Sequence, residues 1–383
     1  MDYCFCQKRD RARAPDPGGS SMNRRAMLGA AAAAAPLALA TPALAQANPE
    51  VRWRAASSFP RVFDVLYGTF EKVAARVAQL TEGKFRIQTF PAGEIVGGLQ
   101  VLDAVQAGTI EAGHTASYYY IGKDPAFAPF TAMCFGLNTR QMTSWFRYGG
   151  GNELAAELFR DYNIHGITCG DTGAQMGGWF RNEITGVEQL RGLKFRITGL
   201  AGQLFTRLGA APTLIAPADI YPSLERGVID AAEFVGPHDD ERANYVRVAR
   251  YYYAPGFWEP GARLHFMSNA RAWAALPDQY KAALETACGE ADADMVARYD
   301  FMNPQALRRL VAAGAQLRFW PRPVLEAAWK ANEEMNADLA RGNPRFAKIM
   351  ESYGRFRTEQ FQWFRIAENS YDNFAFSAAQ TVR

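Results

Sequence analysis

The sequence is poor in the residues that most often carry chemistry, with four histidines and five cysteines among 383 residues. No C-x-x-C pair occurs, which excludes a zinc ribbon or a thioredoxin-like redox centre. His114, His165, His238 and His265 are scattered without metal-ligand spacing. His114 and His265 fall in apolar strand contexts and read as hydrogen-bonded core or pocket-wall residues. The G-x-S-x-G elbow, the H-E-x-x-H helix, the Walker A loop and a G-x-G-x-x-G turn after a strand are all missing. These absences point away from catalysis. After residue 45 no apolar run approaches the roughly 20 residues that span a bilayer.

An excess of charge is lacking too, once the N-terminus is read separately. From Met22 the chain runs Asn23-Arg24-Arg25, then an apolar stretch over 26–40, then Ala43-Leu44-Ala45. These are the charged region, short apolar core and A-x-A site of a signal peptide starting at Met22, with cleavage expected after Ala45. The Arg24-Arg25 pair leaves twin-arginine (Tat) and general secretory (Sec) export both open. Residues 1–45 hold six of the 42 basic and three of the 39 acidic residues, so the mature chain carries 36 of each. A chain without net charge gives no footing to nucleic acid or to a polybasic membrane contact. Cys134, Cys169 and Cys288 remain after cleavage. They allow one disulfide, although buried free thiols are the favoured reading.

What is present is a repeat. Lys84-Phe85-Arg86-Ile87 recurs as Lys194-Phe195-Arg196-Ile197, and a second signature follows each copy. The first is Val105-Gln106-Ala107-Gly108-Thr109-Ile110-Glu111-Ala112, the second Leu224-Glu225-Arg226-Gly227-Val228-Ile229-Asp230-Ala231. Each reads as the apolar end of a helix, a Gly stop and a short strand ending at an acid. One α/β unit used twice predicts two lobes and a cleft between them, where a ligand goes. Strand–helix–strand order predicts parallel pairing with right-handed crossovers.

The first unit comprises a strand over 51–55, a helix marked by Phe63, Leu66, Phe70, Val73, Val77 and Leu80, and a strand over 84–89. A helix over 98–107 and a strand over 109–112 complete it. A strand over 164–169 leads through the glycine-rich Gly173-Ala174-Gln175-Met176-Gly177-Gly178 into the second lobe, and Leu264-His265-Phe266-Met267 returns. Two crossings make a hinge. The expected division is lobe I over 46–170, lobe II over 171–256, a return to lobe I over 257–300 and a helical C-terminal section over 301–383. Beyond Pro277 the pattern turns almost wholly helical, with helices expected over 280–299, 304–313, 323–340 and 346–371. The last is rich in large apolar residues and needs a partner surface, either the protein's own core or a second subunit.

Two charged residues sit in apolar frames. Arg196, between Phe195 and Ile197, is either a solvated pleat position, as the matching Arg86 suggests, or a charge held to grip a carboxylate bidentately. Glu233, in Ala231-Ala232-Glu233-Phe234-Val235, follows the second copy's short strand, where ligands of open α/β sheets gather. An isolated charge is too costly there, so Glu233 either pairs with Arg196 or holds a cation; the ion pair is the favoured reading.

Phe90-Pro91-Ala92-Gly93-Glu94, residues 105–112, Leu190-Arg191-Gly192-Leu193-Lys194-Phe195-Arg196 and residues 224–232 together resemble the solute-binding protein of a TRAP (tripartite ATP-independent periplasmic) transporter, the DctP-type family. Gly173-Ala174-Gln175, residues 232–237 and Phe257-Trp258-Glu259-Pro260-Gly261 resemble the branch binding 2-oxo acids (α-keto acids) such as pyruvate, with related members binding lactate. The resemblance implies an α/β, two-lobed periplasmic binding protein fold with a hinge and a long helical C-terminal section. It implies a periplasmic protein, not an enzyme, that captures a 2-oxo or 2-hydroxy monocarboxylate together with Na+ or Ca2+ and delivers it to the membrane permease subunits. It further implies a homodimer formed by exchanged C-terminal helices.

By the same resemblance Arg196 clamps the ligand carboxylate, Gln175 and Glu233 give side-chain oxygens to the cation, and Phe234 gives its backbone carbonyl. The branch favours Trp where this chain has Phe234. Tyr118, Tyr119 and Trp258 are candidates for pocket wall or for plain core. An all-oxygen set of this kind suits sodium or calcium and not zinc. The rival readings are a binder of a C4-dicarboxylate or sugar acid, marked by a second cationic pocket residue, and a secreted metal-dependent enzyme.

Overall fold

A computed structural model describes residues 49–381, which build two sheets covered by helices. The expected signal peptide lies outside the described residues. In chain order the strands are β1 (Val51–Ser57), β2 (Phe85–Phe90), β3 (Ala112–Thr115), β4 (Ile164–Asp171), β5 (Trp179–Phe180) and β6 (Lys194–Arg196). They continue with β7 (Ala211–Thr213), β8 (Ala231–Ala232), β9 (Tyr251–Ala254), β10 (Arg263–Asn269) and β11 (Gln316–Phe319). The first sheet has the order β2-β1-β3-β10-β4 and the second β11-β9-β5-β8-β6-β7. As the strand–helix–strand order predicts, β1 runs parallel to β2 and β3, and β6 runs parallel to β7 and β8.

Local pattern accounts for the first lobe. In β1, Trp53 and Ala55 are buried while Arg52 and Arg54 face water. Helix Leu66–Leu80 buries Phe70, Val73 and Val77 at helical spacing against that sheet, while Leu66 packs in the other core cluster. It ends before Gly83, whose φ of 75° no β-carbon tolerates well.

The repeat is real in one respect and misleading in another. Gly108 and Gly227 both adopt left-handed conformations, with φ of 73° and 70°. Each acid precedes its short strand, where the pattern had it ending one, and bonds a neighbouring strand's backbone. Glu111 Oε2 accepts from Arg54 N at 2.7 Å, and Asp230 Oδ2 accepts from Lys194 N at 3.2 Å. The partner of Glu111 is thus on β1, whereas the partner of Asp230 is on β6. Register confirms the mismatch: Ala56 pairs with Gly113 as Arg196 pairs with Ala232. The first Lys-Phe-Arg-Ile lies on β2, at the sheet edge, with Arg86 exposed and its Nε on Gly83 O. Ala56, and not Arg86, occupies the place equivalent to Arg196.

Three segments pass between the sheets: 172–178 from β4 to β5, 255–262 from β9 to β10, and the stretch from β10 to β11 that holds the long helix Asp278–Ala312, a third passage beyond the two expected. The two short segments lie side by side, joined by Thr172 N to Ala262 O (3.1 Å), Gln175 N to Glu259 O (3.2 Å) and Gly256 N to Gln175 O (2.9 Å). Glycine is required where they touch, since a β-carbon at Gly256 falls 2.7 Å from Met176 O, and again where the first meets β8, since one at Gly178 falls 2.7 Å from Ala232 O. Arg263, buried at the start of β10, holds Asp171 (3.3 Å) and Asp292 (2.7 Å), fixing the first-sheet end of both crossings.

The C-terminal part departs from expectation at three places. The helices read as 280–299 and 304–313 are one, Asp278–Ala312, because Pro304 removes a single backbone donor without ending the helix. The supposed helical section includes β11, which pairs parallel with β9 at the edge of the second sheet. Helix Pro344–Phe364 buries Phe346, Ile349 and Tyr353, then continues through a π-turn at Arg365–Asn369 into helix Ser370–Thr381. There Trp363, Ile366, Tyr371, Phe374 and Phe376 are exposed. Among the described residues no helix is long and apolar enough to cross a membrane. Cys134, Cys169 and Cys288 are buried free thiols.

Candidate functional site

Arg196 closes β6 with its guanidinium fully buried, and every group around it is there for a local reason. Its Nε donates to Ile215 O at 3.1 Å, and its Nη1 donates to Glu233 O at 2.5 Å and Glu233 Oε1 at 2.6 Å. Only Nη2 has no partner. The solvated reading of Arg196 is therefore wrong, and a fork free for bidentate capture is wrong too, since two of its three nitrogens are engaged inside the protein.

Glu233, directly after β8, is also fully buried. Its Oε1 accepts from Arg196, from Thr198 N (3.1 Å) and from Thr198 Oγ1 (3.1 Å), while Oε2 has no partner. The ion pair expected from the sequence is present, and removing one member of such a pair costs about 3–5 kcal/mol. Burial pushes the Glu233 carboxyl above the usual range, against the opposing pull of Arg196. Burial also works against the charge on Arg196, but Glu233 and the surrounding tyrosines carry its pKa above the ordinary arginine value.

A second buried carboxylate stands beside the first. Glu259, from the crossing segment 255–262, accepts from Thr198 Oγ1 at 2.9 Å through Oε1 and has no partner at Oε2. Burial, and then the neighbouring Glu233, hold its carboxyl well above the ordinary value. Gln175, from the other crossing, is 4% exposed; its Nε2 donates to Thr172 Oγ1 at 3.0 Å and its Oε1 is unpartnered. Glu259, Thr198 and Thr172 were missed in the sequence. The signal for Glu259 was there, an acid framed by Phe257, Trp258 and Pro260, which is the argument that picked out Glu233.

Gln175, Arg196, Phe234 and Tyr119 line one tight cavity of about 10 Å³, together with Tyr118, Thr172 and an apolar wall that includes Phe59, Leu66 and Leu264. Arg196 is the one charged residue in that lining. The Phe234 ring packs on Phe63 at 4.6 Å and lies 5.9 Å from the Arg196 guanidinium. Trp258 does not line the cavity: its ring belongs to the aromatic core with Phe205, Phe257 and Trp320, and its indole N–H, without a close hydrogen bond, faces the Glu233 carboxyl. A larger open groove between helices Leu66–Leu80 and Asp278–Ala312 is bridged by the exposed pairs Lys72–Asp294 and Arg76–Glu290, with no converging buried charge.

The orphaned atoms form a consistent set. Gln175 Oε1, Glu233 Oε2 and Glu259 Oε2 are buried acceptors without a hydrogen bond, beside two buried donors, Arg196 Nη2 and the Trp258 indole N–H. Buried polar groups are normally satisfied, so such a set marks a place completed by a ligand. Hard, partly anionic oxygens fit a sodium or calcium ion, and the guanidinium donor fits an anion.

A model for bacterial extracellular solute-binding proteins of family 7, the DctP family, matches residues 59–342. The chain belongs to this family. Family 7 proteins bind solutes for TRAP transporters, so this one is a binding protein and not an enzyme. It is 45% identical over 368 residues, 93% of this chain and the whole of the relative, to a monocarboxylate 2-oxoacid-binding periplasmic protein of Nostoc. A TRAP solute-binding protein from Bordetella bronchiseptica, a mixed-occupancy dimer with an active site holding copurified calcium and picolinate and an apo site, superposes with a TM-score of 0.86 at 46% identity, covering 88% of this chain and 100% of that one. Another, from Pseudoalteromonas atlantica with bound sodium and pyruvate, gives 0.82 at 37% identity, covering 84% and 98%.

The histidines of this family 7 protein bear out the buried placement read from the sequence but not all of its hydrogen bonding: His114 Nε2 lies 2.9 Å from Cys169 O, whereas both ring nitrogens of His265 are without a partner. His114 and His265 are buried, with pKa values lowered by burial to about 4 and about 3, and they pack on Phe70 and Phe159. His238 differs, because the fold brings it to Asp64 and Asp239 at a spacing that could hold a metal. Arg242 Nε already lies 2.9 Å from Asp64 Oδ1, and Arg298 Nη2 lies 3.5 Å from Asp64 Oδ2, so this carboxylate is neutralised by protein cations.

Proposed function

We propose that the protein is the periplasmic receptor of a TRAP transporter and captures a pyruvate-like 2-oxo monocarboxylate with a metal cation, for delivery to the membrane permease. The observation that carries this reading is the orphaned set at the cleft, three acceptor oxygens and one guanidinium nitrogen. Arg196 Nη2 takes the ligand carboxylate. Gln175, Glu233 and the carbonyl of Phe234 hold the cation, with Glu259 as a further oxygen donor. A 2-oxo acid suits both poles, since its carboxylate meets Arg196 while its carbonyl oxygen can share the cation.

A single charged residue in the cavity lining disfavours a C4-dicarboxylate, whose second carboxylate would be left buried without a partner. The remaining wall is apolar or phenolic and accepts a short hydrocarbon tail. Arg196, the two glutamates and the ligand together carry a net charge of −2 when all are ionised, which a divalent cation cancels and a monovalent one halves. The calcium and sodium found in the relatives are both compatible with the oxygen set.

Export by the peptide starting at Met22 accounts for the leader, and the exposed Trp363, Ile366, Tyr371, Phe374 and Phe376 offer a surface for a second copy of the chain. The test is thermal unfolding of the mature protein with pyruvate, calcium, sodium and their combinations. Ligand and cation together should stabilise by about 2.7 kcal/mol at a hundredfold excess over Kd, and neither alone should approach this. Equal stabilisation by pyruvate in a sodium-free buffer containing a chelator would count against the cation's place in the site.

A further inference from the structure

The strongest unassigned cluster is the one around Asp64. Asp64 lies in the turn between β1 and helix Leu66–Leu80, on the first sheet's side of the cleft. The groups that hold it come from elsewhere. His238 Nε2 lies 2.8 Å from its Oδ1 and Arg242 Nε 2.9 Å, both from helix Pro237–Arg242, which follows β8 of the second sheet. Arg298, on helix Asp278–Ala312, reaches its Oδ2 and donates to its backbone oxygen at 3.3 Å.

The helix that carries His238 and Arg242 is firmly seated. Asn303 Oδ1 accepts from His238 N at 3.0 Å, and the Tyr299 hydroxyl donates to Asp239 Oδ2 at 2.5 Å, which fixes helix Pro237–Arg242 on the long helix. The contact is also one residue away from the ligand site on one flank. Phe63 precedes Asp64 and packs on Phe234, which follows Glu233. Separating the lobes must break the Phe63–Phe234 contact and the Asp64 cluster together.

We propose that Asp64 is a positioning residue for ligand retention: it touches no ligand, but its ion pair with Arg242 and its contact with His238 hold the lobes closed over the cavity and set how slowly a bound solute leaves. Asp64 is 37% exposed on its side chain, so the attraction is felt by water and salt and remains reversible. A receptor that must open again at its permease needs a closure of this strength and not a buried one. The inference rests on the two-lobed fold and on closure around a solute, not on the identity of that solute.

The test compares wild type with Asp64→Asn, Arg242→Gln and the double variant, using calcium and pyruvate as the probe pair and tryptophan fluorescence in stopped flow. Choline chloride varies the ionic strength so that sodium does not enter the site. Each single variant should speed dissociation about five- to tenfold, a change of about 1 kcal/mol, with association altered less than about twofold. The double variant should be no faster than the singles, and the wild type alone should release ligand faster as salt rises. A merely structural role would lower thermal stability without this split. Unchanged dissociation in Asp64→Asn, or additive effects in the double variant, overturns the proposal. If wild type fails to bind the probe pair, the ligand reading fails instead, and small-angle scattering of the ligand-free proteins decides the latch. A more extended Asp64→Asn particle supports it, and superposable curves refute it.

Discussion

Replacing Arg196 by Gln separates the two things this residue does. In the ligand-free protein it neutralises Glu233 through Nη1, at 2.6 Å to Oε1, and both groups are out of water. Removing the guanidinium leaves a buried carboxylate unpaired, which destabilises by about 3–5 kcal/mol. Toward the ligand only Nη2 is available, so the loss is one charge-assisted contact, about 1.5–3 kcal/mol, or roughly 10- to 150-fold in Kd. A cation at Glu233 supplies part of the missing positive charge, so calcium should restore stability to Arg196→Gln more than affinity. Calorimetric titration with pyruvate in calcium measures the second effect, and thermal unfolding with and without calcium measures the first. Arg86→Gln is the control: Arg86 is exposed on an edge strand, and its loss should change stability by no more than about 0.5 kcal/mol and affinity not at all. An affinity for Arg196→Gln within threefold of wild type, or an equal loss in Arg86→Gln, would refute the reasoning.

Other consequences follow from the same groups. Burial and Glu233 hold the Glu259 carboxyl well above its usual range, so Glu259→Gln should leave ligand-free stability nearly unchanged while weakening calcium binding by about tenfold or more in a calcium titration. Calcium must also displace protons from these carboxyls, so its affinity should rise with pH, read by titration in buffers of different ionisation heat. Asp239 and Asp240 are buried and raised to about 8 and about 7 from an ordinary 3.8, so the folded chain binds more protons than the unfolded one between those values. Their contribution is fully present below the unfolded value and lost as pH rises through the folded ones. Unfolding free energy should fall by up to about 1.4 kcal/mol per pH unit for each retained proton, and Asp240→Asn should flatten that slope in urea titrations from pH 5 to pH 8, the window the two shifts define. Changing Phe374 and Phe376 to Ser should shift the protein toward monomer in sedimentation, without altering ligand affinity, if the exposed C-terminal helix carries the dimer contact.

Much of the fold was legible because local pattern and tertiary place agree. The helix with Phe70, Val73 and Val77 on one face, the parallel strands and the two glycine-dependent crossings all follow from periodicity and chain geometry. The repeated Lys-Phe-Arg-Ile was legible as duplication but not as equivalence, since strand order within a sheet is a long-range property; β2 is an edge strand and β6 an interior one. β11 escaped notice because four residues between long helices give too short an alternation. At the site, the Arg196–Glu233 pair was readable from the cost of a lone buried charge. That Arg196 keeps only Nη2 free was not readable, because it depends on where Ile215 and the Glu233 carbonyl fall in space.

The central claim is that Arg196, Gln175, Glu233 and Glu259 are completed by an anion and a cation bound together. A crystal structure grown with calcium and pyruvate tests it most directly. The account predicts a calcium ion at about 2.3–2.6 Å from oxygens of Gln175, Glu233, Glu259 and the Phe234 carbonyl, sharing the pyruvate whose carboxylate meets Arg196 Nη2. An ion bound away from these oxygens, or a pyruvate whose carboxylate faces the apolar wall instead of Arg196, would contradict it.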